Sequence, residues 1–306
     1  MKYAYVLVLW CLLFTGCASQ NIWVSPSRNA SEAQKDFGEC KYDSQKSSFV
    51  PYGNGTSPIS AGVQEGFQSV TLMNECMRSR GYSLVDKYEW EAKQANNSNN
   101  RKEYDSAMKL KDYPRALEMA AILISDNPSS ATAYALRGHA YYNLSKYDDA
   151  ITAYNKAIAL DDKHIGAISM KAICFAENGE HDIALELANI AVNIKNSDSS
   201  VFNNRAVVYN KKGDYDKALE DCNKSLALNN SSPSAHRQKG LAYFGKEHYE
   251  KSIVEFNKAI TIDSMYDKAY LGRGEAYLKL GKADNATSDF KKACELGNKE
   301  SCSKVK

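Results

Sequence analysis

Between residues 97 and 300 the chain repeats itself every 34 residues without a gap, and this period limits the available folds more than any other feature. Six copies tile 97–130, 131–164, 165–198, 199–232, 233–266 and 267–300. The eighth position reads Tyr104, Gly138, Ala172, Ala206, Gly240, Gly274, and the eleventh Ala107, Tyr141, Phe175, Tyr209, Tyr243, Tyr277. The twentieth is Ala116, Ala150, Ala184, Ala218, Ser252, Ala286, and the twenty-seventh is Leu123, Ala157, Ala191, Ser225, Ala259, Ala293. Apolar residues recur at three- and four-residue spacing, so each copy contains two amphipathic helices. Turns at Ser145-Lys146, Gly179-Glu180, Gly213-Asp214 and Gly281-Lys282 end the first helix of a pair. Small residues let the paired helices approach, and the aromatic at position eleven fills the space beside them. One such hairpin cannot bury its apolar face alone, so neighbours must stack. The expected fold is all-α, a right-handed α-solenoid of six helix-turn-helix units.

The ends of the array differ from its middle. The aliphatic residue facing the next repeat runs Leu117, Ile151, Ile183 at a slipped register, Leu219, Ile253, and becomes Thr287 in the last copy. With so few residues after position 300, no separate capping helix is expected. Position seven carries Arg137, Lys171, Arg205, Lys239 and Arg273, and position twenty-three is acidic in the last three copies: Asp221, Glu255, Asp289. These predict ion pairs within a repeat, worth about 1 kcal/mol or less if exposed. A ligand-binding basic row is the rival reading.

The pattern resembles the tetratricopeptide repeat, and YALRGHAYYNLSKYDDAITAYNKAIALD is a near-consensus copy. The resemblance implies a concave groove lined by positions 2, 5, 9 and 12 of the first helices. Carried onto this chain, the candidate partner-binding residues are Arg101, Tyr142, Asn203, Asn210, Arg237, Phe244, Lys268 and Glu275, with Asp105, His139 and Ser169 on the same positions. This mixture of aromatics, amides and both charges suits an extended peptide or a partner helix better than a polyanion. The Lys-x3-Asn and Lys-x3-Arg pairs of chaperone-tail receptors are absent from these helices.

Ahead of the repeats, residues 3–14 form an uncharged apolar run that as a helix would reach roughly 18 Å, short of the ~30 Å bilayer core. A signal peptide over residues 1–16 is expected. Leu13-Phe14-Thr15-Gly16-Cys17 resembles the bacterial lipobox, which implies cleavage before Cys17 and lipid attachment to its thiol. Phe14 departs from the usual leucine, and an ordinary signal peptide cut near Ala18 is the alternative. With Ala18 after the cysteine, the resemblance implies an outer-membrane lipoprotein facing the periplasm, held there by its acyl chains.

Residues 17–95 are expected to form a small helical module, with helices over 31–48 and 59–80 separated by the loop VPYGNGTSP. Its FGECK and NECMRSRGYSLV segments look like a module of small envelope lipoproteins. Cys40 falls in the first helix and Cys76 in the second; a bridge would add about 4 kcal/mol to a thin core in an oxidising compartment. A zinc site is the rival, but two cysteines without a paired histidine leave the metal underliganded. NNSNN at 96–100 has the composition of a linker.

At the other end, Cys294 and Cys302 frame a CX7C that resembles the cysteine-stapled hairpins of Sel1-like repeat proteins, which implies a disulfide worth about 2.5 kcal/mol. Cys174 and Cys222 occupy core positions and are expected to be buried free thiols.

Other chemistry is sparse. Gly240 to Lys246 matches GxxxxGK, but Glu247 stands where a magnesium-binding hydroxyl belongs and no strand precedes it. The five histidines show no ligand spacing, no GxSxG elbow occurs, and no cofactor or metal is implied. A net charge of +2 without a basic stripe argues against a nucleic-acid partner. The expected function is a non-catalytic protein-binding scaffold tethered by lipid, with pilus, secretion or cell-wall assembly as its setting. A Sel1-like cell-wall protein with weak hydrolase activity and a self-associating structural array are the alternatives.

Overall fold

The computed structural model describes residues 4–7, 21–25, 35–37, 39–40, 75–80 and 83–305. The chain divides into two compact units, Met1–Asn99 and Asn100–Lys306.

In the first unit, strands β1 (Ala4–Leu7), β2 (Asn21–Ser25) and β3 (Ser83–Asp86) form an antiparallel sheet in the order β1-β2-β3. Ala4 pairs with Ser25, and Asn21 with Asp86. Residues 4–7 were expected to be helical. The sequences AYVL, NIWVS and SLVD are rich in β-branched and aromatic residues, which favour a pleated pairing over an isolated helix. Residues 35–37, 39–40 and 75–79 are helical. They are joined by a Cys40–Cys76 disulfide beside the fully buried Met77, and Arg80 donates to both Asp36 and Glu39 at 2.7 Å. The remainder of the two expected helices, the loop at 50–58 and the lipobox with Cys17 lie outside the described residues.

The helices are α1 (Lys87–Lys109), α2 (Tyr113–Asp126), α3 (Ala131–Asn143), α4 (Tyr147–Leu160), α5 (Ile165–Glu177), α6 (His181–Ile194) and α7 (Ser199–Lys212). They continue with α8 (Tyr215–Leu228), α9 (Pro233–Gly245), α10 (Tyr249–Ile262), α11 (Asp267–Lys279), α12 (Ala283–Glu295) and α13 (Lys299–Lys304). The two units divide within the NNSNN segment, but the segment is helical and lies inside α1. The array does not end bare: α13 packs on α12, started by the Asn298 side chain accepting from Ser301 and joined back by a Cys294–Cys302 disulfide.

From α2 onward each helix packs against its chain neighbours, and the odd-numbered helices from α3 to α11 also pack on one another as an inner layer. The turn inside every repeat uses one left-handed residue at position fifteen: Lys111, Ser145, Gly179, Gly213, Glu247 and Gly281, with φ between 58 and 85°. Glu247 of the phosphate-loop look-alike is therefore a turn residue. Between repeats, Ser130, Asp198 and Ser232 cap the next helix through their side chains, and His164 does so through Nδ1.

The core is built on a complementarity between positions eight and twenty-four. The pairs are Tyr104/Ala120, Gly138/Tyr154, Ala172/Ala188, Ala206/Cys222, Gly240/Phe256 and Gly274/Phe290. Where one partner is a ring, the other is glycine or alanine. A Cβ added at Gly138 would stand 2.6 Å from Tyr154, and one at Gly274 would stand 2.7 Å from Phe290. In the second, fifth and sixth repeats a ring at position twenty-four fills the space opposite the glycine, while Tyr141, Phe175 and Tyr209 at position eleven pack, partly buried, against the core clusters. Leu185, packed on the Ala172 cluster, is the third repeat's inter-repeat aliphatic residue; Ile183 is 43% exposed.

The ion pairs form in all three late repeats. Asp221 accepts from Arg205 Nε and Nη2 at 2.6 and 2.8 Å, and Asp289 from Arg273 at 2.8 and 2.6 Å. Glu255 accepts from His236 Nδ1 at 2.7 Å and lies 3.8 Å from Lys239 Nζ. The acids are buried, so removing one partner of such a pair costs more than breaking a surface pair. The arginines also donate to Asn189 and Asn257 of the preceding repeat, stitching neighbours together.

Candidate functional site

The first helices of the second to sixth repeats present positions 2, 5, 6, 9, 12 and 13 to a concave cavity of about 570 Å³. Six of the eight candidate groove residues meet there: Tyr142, Asn203, Asn210, Arg237, Phe244 and Lys268. A second cavity of about 900 Å³ shares Tyr142, Glu177, Tyr266, Lys268, Asn298 and Glu300 with it and extends to the turn of the first repeat. Arg101 and Glu275 line neither. Arg101 is bonded to Asp105 at 3.2 Å, and Glu275 accepts from Lys304. Ser169 is buried and His139 lines neither cavity.

Sequence reasoning missed several lining residues, among them Met170, Asn204 and Gln238 at position six. Glu177 and Lys211, both at position thirteen, form an ion pair at 2.6 Å across the inner layer. One further residue along each first helix would have found them. Asn298 and Glu300 come from the last inter-repeat segment, which the repeat pattern alone does not direct inward. The floor between the polar groups is aliphatic, from Met170, Ile173, Val207, Leu241 and Leu271.

Two of the groove amides are committed to the scaffold. Asn203 Nδ2 donates to Ser234 Oγ at 3.2 Å, and Asn210 Nδ2 to the Gln238 carbonyl at 3.0 Å, each joining the fourth repeat to the fifth. The Oδ1 of Asn210 is buried without a partner. Burial, then the nearby Glu177 charge, raises the Tyr142 phenol above its ordinary range, keeping it a neutral donor. Burial, then Arg237, lowers the Lys268 ammonium below its usual value.

The array also closes on itself. Lys111 Nζ, in the turn of the first repeat, donates to Asp267 Oδ2 and to the Leu296 carbonyl, both at 3.0 Å. Asn298 Nδ2 donates to the same Asp267 oxygen at 3.2 Å. The clasp spans 156 and 185 residues of sequence, bringing the first and last repeats together beside the larger cavity. Among the described residues, no group of three or more His, Cys, Asp or Glu could hold a metal ion. The two free cysteines are buried, and burial raises both thiols to about 12.

A superhelical array of helix pairs with an amphipathic inner channel defines the class of α-solenoid binding scaffolds. Tetratricopeptide repeat models match residues 102–165, 199–232 and 267–299, and a TPR repeat model matches 240–281, together just over half of the chain. The chain belongs to the tetratricopeptide-repeat family, whose members are generally non-catalytic protein-binding scaffolds. No curated protein matches its sequence. Among solved structures, a thermophilic TPR protein of Thermus thermophilus superposes with a TM-score of 0.54 at 20% identity, over 57% of this chain and 97% of that one. The Cut9–Hcn1 hetero-tetramer of the APC/C superposes with a TM-score of 0.52 at 20% identity, over 63% of this chain and 41% of that one. At these identities the likeness is one of fold.

Proposed function

We propose that this chain is a lipid-anchored scaffold of the bacterial outer membrane that binds a partner polypeptide in the concave channel of its repeats. The observation that carries the binding role is the convergence of Tyr142, Asn203, Asn210, Arg237, Phe244 and Lys268 on one cavity with an aliphatic floor. Aromatic and aliphatic surface supplies apolar contact, and the polar groups fix register, as in other recognition sites for extended chains.

The anchor rests on the lipobox-like sequence ending in Cys17. Among the described residues, no helix is long and apolar enough to cross a membrane. Processing at Cys17 would remove Ala4–Leu7 and leave the β2–β3 pair. The setting that fits a tethered binding array is assembly of pilus, secretion or cell-wall machinery, without catalysis. The hydrolase alternative loses its only named nucleophile, since Ser169 is buried.

The test is chemical crosslinking in intact cell envelopes, comparing wild type with an Arg237→Glu, Phe244→Ala variant shown by circular dichroism to be folded. A partner lost by the variant supports the groove. An unchanged partner set moves the interface elsewhere, with the Cys40–Cys76 unit next to test. Labelling with radioactive palmitate, abolished by Cys17→Ser, tests the anchor.

A further inference from the structure

The clasp between the first and last repeats rests on one short loop. Lys111 Nζ donates to the Leu296 carbonyl, and Asn298 Nδ2 donates to Asp267, the second acceptor of Lys111. Between them stands Gly297, where an added Cβ would lie 3.6 Å from the Lys111 ammonium. Leu296, Gly297 and Asn298 are consecutive, and all three fall inside the loop that the Cys294–Cys302 disulfide closes. Asn298 also caps α13, a six-residue helix too short to persist without the staple. Lys111, Asp267, Gly297 and Asn298 line the larger cavity, so the clasp forms part of its wall. A packed helix interface does not back this seam: among the described residues, α2 packs on its chain neighbour α3 but on no helix of the last repeat. A seam of a few polar bonds opens more readily than the helix stack it closes.

We infer that the Lys111 clasp is a latch on the concave channel, held shut by the Cys294–Cys302 disulfide and released when a dithiol reductant cleaves that bond. Both cysteines are only half-buried, which leaves the bond open to attack. One thiolate of the dithiol attacks a sulfur of the pair and forms a mixed disulfide. The second thiolate then releases the reductant as its own disulfide, and the two protons of the dithiol end on the Cys294 and Cys302 thiols. Without the closed loop α13 frays, and the Leu296 carbonyl and the Asn298 amide leave the positions that engage Lys111 and Asp267. Opening removes one wall of the larger cavity, which shares Tyr142, Glu177 and Lys268 with the groove. What the opened channel admits rests on the groove reading above; the latch itself does not.

The test is single-molecule energy transfer on the full-length chain. Dyes are attached through p-acetylphenylalanine at Ala121 in the first repeat and Lys291 in the last, both exposed. The oxidised wild type should show one high-transfer population. Lys111→Gly removes the ammonium at a turn whose φ of 60° suits glycine, so the variant keeps its fold. It should shift the closed-to-open ratio toward a low-transfer state by at least about tenfold. Dithiothreitol should produce the same shift in the wild type and add nothing to Lys111→Gly. A Cys294→Ser, Cys302→Ser variant should be open from the start and indifferent to dithiothreitol, which separates this bond from Cys40–Cys76. A high-transfer state that survives Lys111→Gly, dithiothreitol or the double serine substitution overturns the latch. None of these results bears on the envelope crosslinking that tests the groove, so the two readings fail separately.

Discussion

Replacing Gly138 by alanine should destabilise the array although alanine is the better helix former. The new Cβ would stand 2.6 Å from Tyr154 Cε1 and 2.8 Å from Cδ1 and Cζ, where carbon contacts settle near 3.5–4.0 Å. The ring is 1% exposed and must shift by roughly 1 Å within a close-packed interior. Overpacking of this kind costs about 1–3 kcal/mol, against which the helix gains about 1 kcal/mol from losing a glycine. The net expectation is a loss of about 1 kcal/mol. Tyr154→Ala alone should cost about 3–5 kcal/mol through its cavity. In the double variant the clash is gone and the methyl group partly fills the hole, reproducing the Ala172/Ala188 pair of the next repeat. Its cost should fall below the sum of the singles by about 2 kcal/mol. Urea unfolding followed by circular dichroism measures this, with constant slope as the check on comparable transitions. Tyr154→Phe is the control: its hydroxyl is buried without a partner, so its removal keeps the ring and the clash with the new methyl group. Additivity of Gly138→Ala and Tyr154→Ala within about 0.5 kcal/mol would refute the packing argument.

Three further outcomes follow from the same geometry. Arg273→Glu or Asp289→Arg alone should cost about 3 kcal/mol by leaving a largely buried charge unpaired, and combining them should recover at least about 1 kcal/mol in the same unfolding assay. Glu247→Gly should raise stability by about 1 kcal/mol, because φ at this turn is 62° and glycine adopts it without strain; an unchanged or lowered melting temperature contradicts that. Burial keeps Cys174 and Cys222 protonated well above neutral pH, so a thiol reagent at pH 8 should label neither until urea unfolds the chain.

The repeat period was legible because each unit solves the same burial problem, and six registers carry the solution in parallel. The compensation between positions eight and twenty-four was equally visible in the sequence, in Tyr104 opposite Ala120 and Gly138 opposite Tyr154. Following position eight alone made Tyr104 look merely anomalous, whereas its ring takes the space that Tyr154 fills one repeat later. NNSNN illustrates the opposite limit. Its composition favours a turn, yet it continues a helix running from Lys87 to Lys109, so local propensity yielded to its surroundings. The groove was legible where it depends on helix phase, as at Tyr142, Arg237 and Phe244. Arg101 and Glu275 occupy equivalent phases but lie in the end repeats, where Asp105 and Lys304 engage them. The Lys111 clasp depends on the summed rotation of all the repeats, which no single register encodes.

The central claim is that partners are bound on the inner face, and site-specific photocrosslinking tests it most directly. A photoreactive phenylalanine analogue placed at Phe244 lies on the concave channel, and one at Val254, which is 51% exposed, lies on a second helix outside it. In living cells the Phe244 position should give a discrete adduct that disappears with Arg237→Glu, while Val254 gives none. An adduct at Val254 and none at Phe244 would contradict the account.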